Sequence, residues 1–211
     1  MNVYFIRHGK SIYNNDTFES KIHQPANTPL SEIGVDQAKA LADRFSQIPL
    51  DLILCSTYPR AIQTAAEIEK MNVVPLLQSD LFIERKMPSS FDGKAVEDPE
   101  IVPIHNTIRE HFDEVGFHYS DEENYHDLIN RAKKALRFII SQEKENIVVV
   151  THGYFINVLI TYLLFEENST LPILRSLIKH TDYSNTGITT CRYADNLWQV
   201  LTINDYTHLK E

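Results

Sequence analysis

The run NIVVVTHG, residues 146–153, constrains the fold more than any other part of the chain. Four consecutive apolar residues, Ile147 to Val150, show no in–out alternation, so a strand here has to be covered on both faces. NVYFI (2–6) and DLILCS (51–56) read as further buried strands, and VVPLL (73–77) as a short edge strand because of Pro75. Helical patterns fall between them. Ser31 is placed to cap a helix that puts Ile33, Ala38, Leu41, Ala42 and Phe45 on one face. YPRAIQTAAEIEK (58–70) carries proline in its first turn. Residues 124–142 repeat Leu128, Ile129, Ala132, Ala135, Leu136 and Ile139 at helical spacing, and YFINVLITYLL follows the 146–153 run as another helix. GITTCRYA and LWQVLTIN form a hairpin around Ala194, Asp195 and Asn196. Strands alternating with helices indicate an α/β sandwich around a mostly parallel sheet.

Residues 85–122 are the least regular stretch, with Pro88, Pro99 and Pro103, and read as a loop plus a short helix. The expected organisation is a single domain over 1–211 with a lid or specificity insertion around 85–122. A net charge of −9 argues against nonspecific nucleic-acid or anionic-membrane binding. No apolar run reaches membrane-spanning length and no secretory signal is seen, so the expected compartment is the cytoplasm. Cys55 and Cys191 make neither a metal pair nor a disulfide framework, and Cys55 reads as a buried thiol. The acidic cluster SDEEN (120–124) reads as a solvated loop and helix start.

In open α/β sheets, ligands bind outside the carboxyl ends of the strands. Arg7 and His8 lie just past the first strand, Ser56, Thr57 and Arg60 past the second, and Thr151, His152 and Gly153 past the 146–153 run. The rim therefore collects two arginines, two histidines and helix N-termini, and a glycine follows each histidine so that the backbone can approach a ligand. Without a carboxylate or cysteine cluster this is no metal site. Guanidinium groups bind phosphate oxygens in a fork, and a histidine held among cations stays neutral, with a ring nitrogen free as a nucleophile.

Together these segments resemble the histidine phosphatase superfamily, in its phosphoglycerate mutase-like branch. RHGKSIYN matches the opening Arg-His-Gly…Asn motif, and PLSEIGVDQAKALA, CSTYPRAIQTAAEI, LFIERKMPSSFDG, VVVTHGYFINVLI and SNTGIT follow in the family's order. The resemblance implies a three-layer α/β/α sandwich of phosphoglycerate mutase-like topology. It implies that His8 attacks phosphorus and carries the phosphohistidine, that Arg7, Arg60 and His152 bind the phosphoryl oxygens, and that Glu84 moves the proton to and from oxygen. Asn14 and the Gly153 N–H would add hydrogen bonds, with no metal and no cofactor.

The function expected on this basis is a metal-independent phosphomonoesterase acting on a small phosphorylated metabolite, as a monomer or homodimer. The alternatives are a cofactor-dependent phosphoglycerate mutase and a non-catalytic phospho-ligand module. Glu84 and His152 are only 68 positions apart, whereas the mutases carry a longer water-excluding insertion there, which favours the phosphatase. The sequence departs from the family pattern at Lys10, at Ser20 and Lys21 in place of a loop glycine, at Tyr154, and in KMPSSFDG. His105, Arg109 and His111 are the candidates for attracting a second anionic group. His23 and His105 are the remaining histidines best placed to reach the pocket; His111, His118, His126, His180 and His208 read as ordinary surface or loop residues.

Overall fold

The computed structural model describes residues 1–14 and 22–209. Ser20 and Lys21 lie outside these residues. In chain order the elements are β1 (Asn2–Arg7), α1 (Glu32–Phe45), β2 (Leu52–Cys55), α2 (Pro59–Asn72), β3 (Leu76–Gln78), α3 (Ile101–Glu110), α4 (Tyr125–Ile140), β4 (Asn146–Thr151), α5 (Gly153–Phe165), α6 (Leu171–His180), β5 (Ile188–Ala194) and β6 (Leu197–Asp205). The strands form one sheet in the order β3-β2-β4-β1-β5-β6. The first four are mutually parallel, and β5 and β6 add an antiparallel edge.

β4 lies inside the sheet, as its sequence requires. Ile147 and Val149 pack into a core with α4, α5 and α6, while Val148 and Val150 pack into a second core with α1 and α2. Removing both faces of one strand from water in this way gives the three-layer sandwich.

Local signals set most boundaries. Ser31 caps α1, its Oγ accepting the Gly34 N–H at 3.1 Å. Asn124 and Asp127 form a reciprocal capping box on α4. Asp195 and Asn196 both take positive φ, 52° and 61°, which suits a tight hairpin between right-twisted strands.

Four expectations change in the structure. Ile33 is 56 % exposed, because Gly34 takes the inward position of α1, in register with Ala38, Leu41, Ala42 and Phe45. A Cβ on Gly34 would sit 1.9 Å from the Lys10 carbonyl oxygen, so only glycine lets α1 lie against the chain leaving β1. The edge strand starts at Leu76 rather than Val73: α2 runs to Asn72, and Val73 ends it in the left-handed conformation, its N–H donating to Glu69 O. The acidic cluster is not simply solvated. Glu122 is buried and accepts the N–H groups of Tyr119 and Ser120, and Asp121 accepts that of Ser89. Helix α6 was not expected, although Pro172 in its first turn and the spacing of Leu171, Leu174 and Ile178 carried a signal for it.

Residues 85–122 contain a 3₁₀ turn (Ser89–Phe91) and α3, which share a small core of Phe91, Ile101 and Ile108 apart from the two sheet cores. Among the described residues no helix is long and apolar enough to cross a membrane.

Candidate active site

The carboxyl ends of β1, β2 and β4 open into a cavity of about 1010 Å³. Arg7, His8, Asn14, Arg60, Glu84 and Gly153 line it. Register brings the first group together: β1 pairs with β4 so that Arg7 lies opposite Thr151, and the His8 N–H donates to the Thr151 carbonyl at 2.9 Å.

His8 is 4 % exposed. Its Nδ1 lies 2.7 Å from the Gly9 carbonyl oxygen, an acceptor only, so Nδ1 carries the hydrogen and Nε2 keeps its lone pair. Arg60 Nε donates to that Nε2 at 3.2 Å. Burial, and then the charges of Arg60 and Arg7, hold His8 well below the usual imidazole pKa. Arg60 is buried in the first turn of α2, with its guanidinium carbon 4.9 Å from the centre of the Tyr58 ring. Arg7 donates from Nη1 to the Tyr183 carbonyl, and its stem lies against Gly153, where a Cβ would stand 3.5 Å from Arg7 Cδ and Nε. Asn14 Oδ1 accepts from the backbone N–H and the hydroxyl of Ser11 at 3.0 and 2.9 Å.

His152 stands differently. Its ring centre is 4.9 Å from that of His8, but it is fully buried behind the cavity wall. Its Nε2 meets Ser56 Oγ at 2.9 Å, and its Nδ1 has no partner among the described residues. Burial, followed by His8 and Arg60, pushes its pKa well down.

Glu84 sits at the N-terminus of α5. Its carboxylate accepts the N–H groups of Phe155 (3.1 Å), Tyr154 (3.3 Å) and Arg85 (2.9 Å). Sequence reasoning missed the residue that holds this segment. Arg131 of α4 pairs with Glu123 through two contacts, 2.7 and 2.8 Å, and donates to the carbonyls of Leu81, Ile83 and Glu84. Its guanidinium carbon lies 3.9 Å from the centre of the Phe155 ring. Glu123 in turn accepts the Lys86 N–H. The one sequence signal was an arginine on the inner side of an otherwise apolar helix face.

The glycine after His8 serves packing rather than ligand approach. A Cβ there would stand 2.6 Å from the Gly34 carbonyl oxygen, and its N–H donates to Thr64 Oγ1. The SNTGIT segment closes the site from below: Asn185 Nδ2 donates to the His8 carbonyl and the Thr186 N–H to that of Arg7. Lys10 lies outside the cavity lining; its backbone holds Gln37 and Ser31.

The outer wall also differs from the sequence expectation. His105, Arg109 and His111 do not line the cavity; Arg109 faces a separate surface hollow with Arg175, and His111 pairs with Glu114. The basic side chains that do line it are Arg85, Lys86, Lys179 and His180, the last two on unforeseen helix α6. His23 and Tyr154 are on the wall as well. His208 is no ordinary surface residue: its Nε2 meets Thr186 Oγ1 at 3.0 Å, and burial pushes its pKa down to about 4.

A sequence model described as the histidine phosphatase superfamily, branch 1, matches residues 3–206. A Schizosaccharomyces pombe protein named as a probable phosphatase is 27 % identical, covering 100 % of this chain and 96 % of its own. A Bacillus subtilis protein named as the uncharacterised phosphatase PhoE is 24 % identical over 98 % of this chain and 96 % of its own. The crystal structure of the α-ribazole phosphatase from Shigella flexneri superposes with a TM-score of 0.80 at 20 % identity, covering 100 % of both chains, which shows a shared fold. The order of the motifs, the strand-end cluster they build and the match of 204 residues (3 to 206) have one reading: this chain belongs to the histidine phosphatase superfamily, branch 1.

Proposed function

We propose that the protein is a metal-independent phosphomonoesterase that works through a phosphohistidine on His8, with residues 85–122 of its single domain forming the specificity wall. The observation that carries this reading is the tautomer of His8. Its proton is held at Nδ1 by Gly9, and the Nε2 lone pair faces the guanidinium of Arg60, which would receive a phosphoryl dianion.

In the first step His8 Nε2 forms the N–P bond as the bond from phosphorus to the leaving oxygen breaks, and Glu84 gives that oxygen a proton. In the second, a water oxygen attacks phosphorus, Glu84 takes its proton, the N–P bond breaks and inorganic phosphate leaves. Arg7 and Arg60 carry the growing equatorial charge, the task a metal performs elsewhere. Asn14 and the Gly153 N–H complete the phosphoryl shell, and His152, whose Nδ1 has no partner among the described residues, supports it from behind the wall. The substrate is a small phosphorylated metabolite, in keeping with the size of the cavity.

The test is p-nitrophenyl phosphate hydrolysis with EDTA present, comparing wild type with His8→Ala. Turnover that survives EDTA and falls by about 10⁴-fold or more in the variant is expected. Turnover retained by His8→Ala would defeat the reading.

A further inference from the structure

Resting on this phosphatase reading for its chemical consequence, we propose that Ser56 is a positioning residue: its hydroxyl fixes His152 in the tautomer with hydrogen on Nδ1, which makes that ring a donor to the phosphoryl group. Ser56 directly follows β2 and is fully buried. Its N–H donates to the Val150 carbonyl at 3.0 Å, which sets it beside β4, two residues before His152. Its Oγ has two partners among the described residues. The Tyr58 N–H donates to it at 3.2 Å, and His152 Nε2 stands 2.9 Å away.

Counting hydrogens decides between the two tautomers. Burial, with His8 and Arg60 close by, keeps the ring neutral, so one nitrogen carries the hydrogen and the other a lone pair. With the hydrogen on Nε2, both partners of Ser56 Oγ would donate to it. The serine hydrogen would then lack an acceptor and Nδ1 would lack a donor, so two buried polar groups would go unpaired. With the hydrogen on Nδ1, Ser56 accepts from Tyr58 and donates to Nε2, and its hydroxyl is fully used. A single group is left over, the Nδ1–H of His152. That leftover donor has a use. The ring centre of His152 is 4.9 Å from that of His8, which carries the phosphoryl group in this reading. Phosphoryl oxygens accept hydrogen bonds, and a buried donor prepared for them acts without reorganisation. The other tautomer would offer them a further lone pair. The hydrogen bond at one nitrogen of an imidazole thus sets what the other can do.

The tautomer is read by NMR from protein labelled with ¹⁵N-histidine, the His152 signals being assigned by their loss in His152→Gln. Wild type should show a protonated Nδ1 and an unprotonated Nε2; hydrogen on Nε2 overturns the proposal. Orthovanadate, which mimics the phosphoryl group in transfer, should shift the Nδ1–H resonance, and bound vanadate that leaves it unmoved overturns the donor role. Ser56→Ala should lose the single Nδ1–H form and fall by roughly 10- to 100-fold in kcat/KM for p-nitrophenyl phosphate, mostly through kcat. Ser56→Thr keeps the hydroxyl and should recover the spectral signature with part of the rate. In a His152→Gln background, adding Ser56→Ala should cost less than about threefold, because the serine acts through that ring. An unchanged tautomer in Ser56→Ala, or a loss that multiplies fully with His152→Gln, would reduce Ser56 to packing and overturn the proposal. The phosphatase reading fails separately, if wild type does not hydrolyse p-nitrophenyl phosphate at all, while the spectrum of wild type still reports the tautomer.

Discussion

The two ends of the cavity are held in opposite ways. At the end proposed to take the phosphoryl group, His8, Arg60 and His152 leave the ends of three strands or open the helices that follow, and almost none of their surface meets solvent. Sheet register fixes them, and each is hydrogen-bonded to a residue far away in sequence. At the outer end, Arg85, Lys86 and Ser89 lie on a segment outside the sheet, tied down by Arg131, Glu123 and Asp121. The difference teaches a division of labour. A site that must stabilise a transition state is built on rigid elements, and one that only selects among substrates can be built on a loop.

Glu84 stands at the junction, and its replacement should have the largest effect. Glu84→Gln keeps the shape of the side chain but cannot move the proton. It should slow alkyl phosphate hydrolysis by about 10²- to 10⁴-fold, and slow an activated aryl phosphate much less, because a good leaving group needs little protonation. Equal losses on both would remove Glu84 from proton transfer.

Arg131→Met probes the tie between the two ends. It leaves Glu123 charged and largely buried, at a cost of about 3–5 kcal/mol measured by denaturant unfolding. Because the same arginine holds the backbone of Glu84, the folded variant should also lose alkyl phosphate activity more than aryl. A stability loss with an unchanged leaving-group profile would show that the clamp serves only the fold.

The third effect is smaller and separates chemistry from stability. His8 and His152 stay neutral in the fold, below the pH at which an exposed imidazole would charge. The proposed nucleophile therefore remains available on acidification, and kcat/KM should show no downward limb near the ordinary histidine pKa between about pH 7.5 and 5.5. Stability should behave otherwise. Below the ordinary pKa near 6.5 the unfolded chain takes up protons that the folded chain refuses, so the stability contributed by these histidines is full above 6.5 and is lost as pH falls. The Tm should drop from pH 7.5 to about 5.5, with a shallower slope in His8→Ala. A limb near 6.5 in the rate, or a Tm insensitive to acid, would contradict the burial of these rings.

The same division explains what could be read from sequence. The phosphoryl end was legible because its residues sit at fixed offsets from strands that announce themselves, as His152 follows IVVV and His8 follows VYFI. Gly34 and Ile33 show the limit of that reading. Both fit an amphipathic helix to within one position, and only the approach of Lys10 decides which faces inward. The wall was not legible. Arg85, Arg109 and His105 look alike as sequence, and their fates depend on how the 85–122 segment folds around Phe91 and Phe112. Arg131 was hidden for a related reason: its partners come from residues 81–84 and 123, joined only in the folded chain.

The central claim is that His8 carries the phosphoryl group. Mixing the enzyme with a ³²P-labelled monoester, quenching in alkali within one turnover and mapping the labelled peptide tests it directly. The account predicts alkali-stable, acid-labile label on the peptide containing His8, and none in His8→Ala. Label on another residue, or rapid hydrolysis with no labelled enzyme, would contradict it.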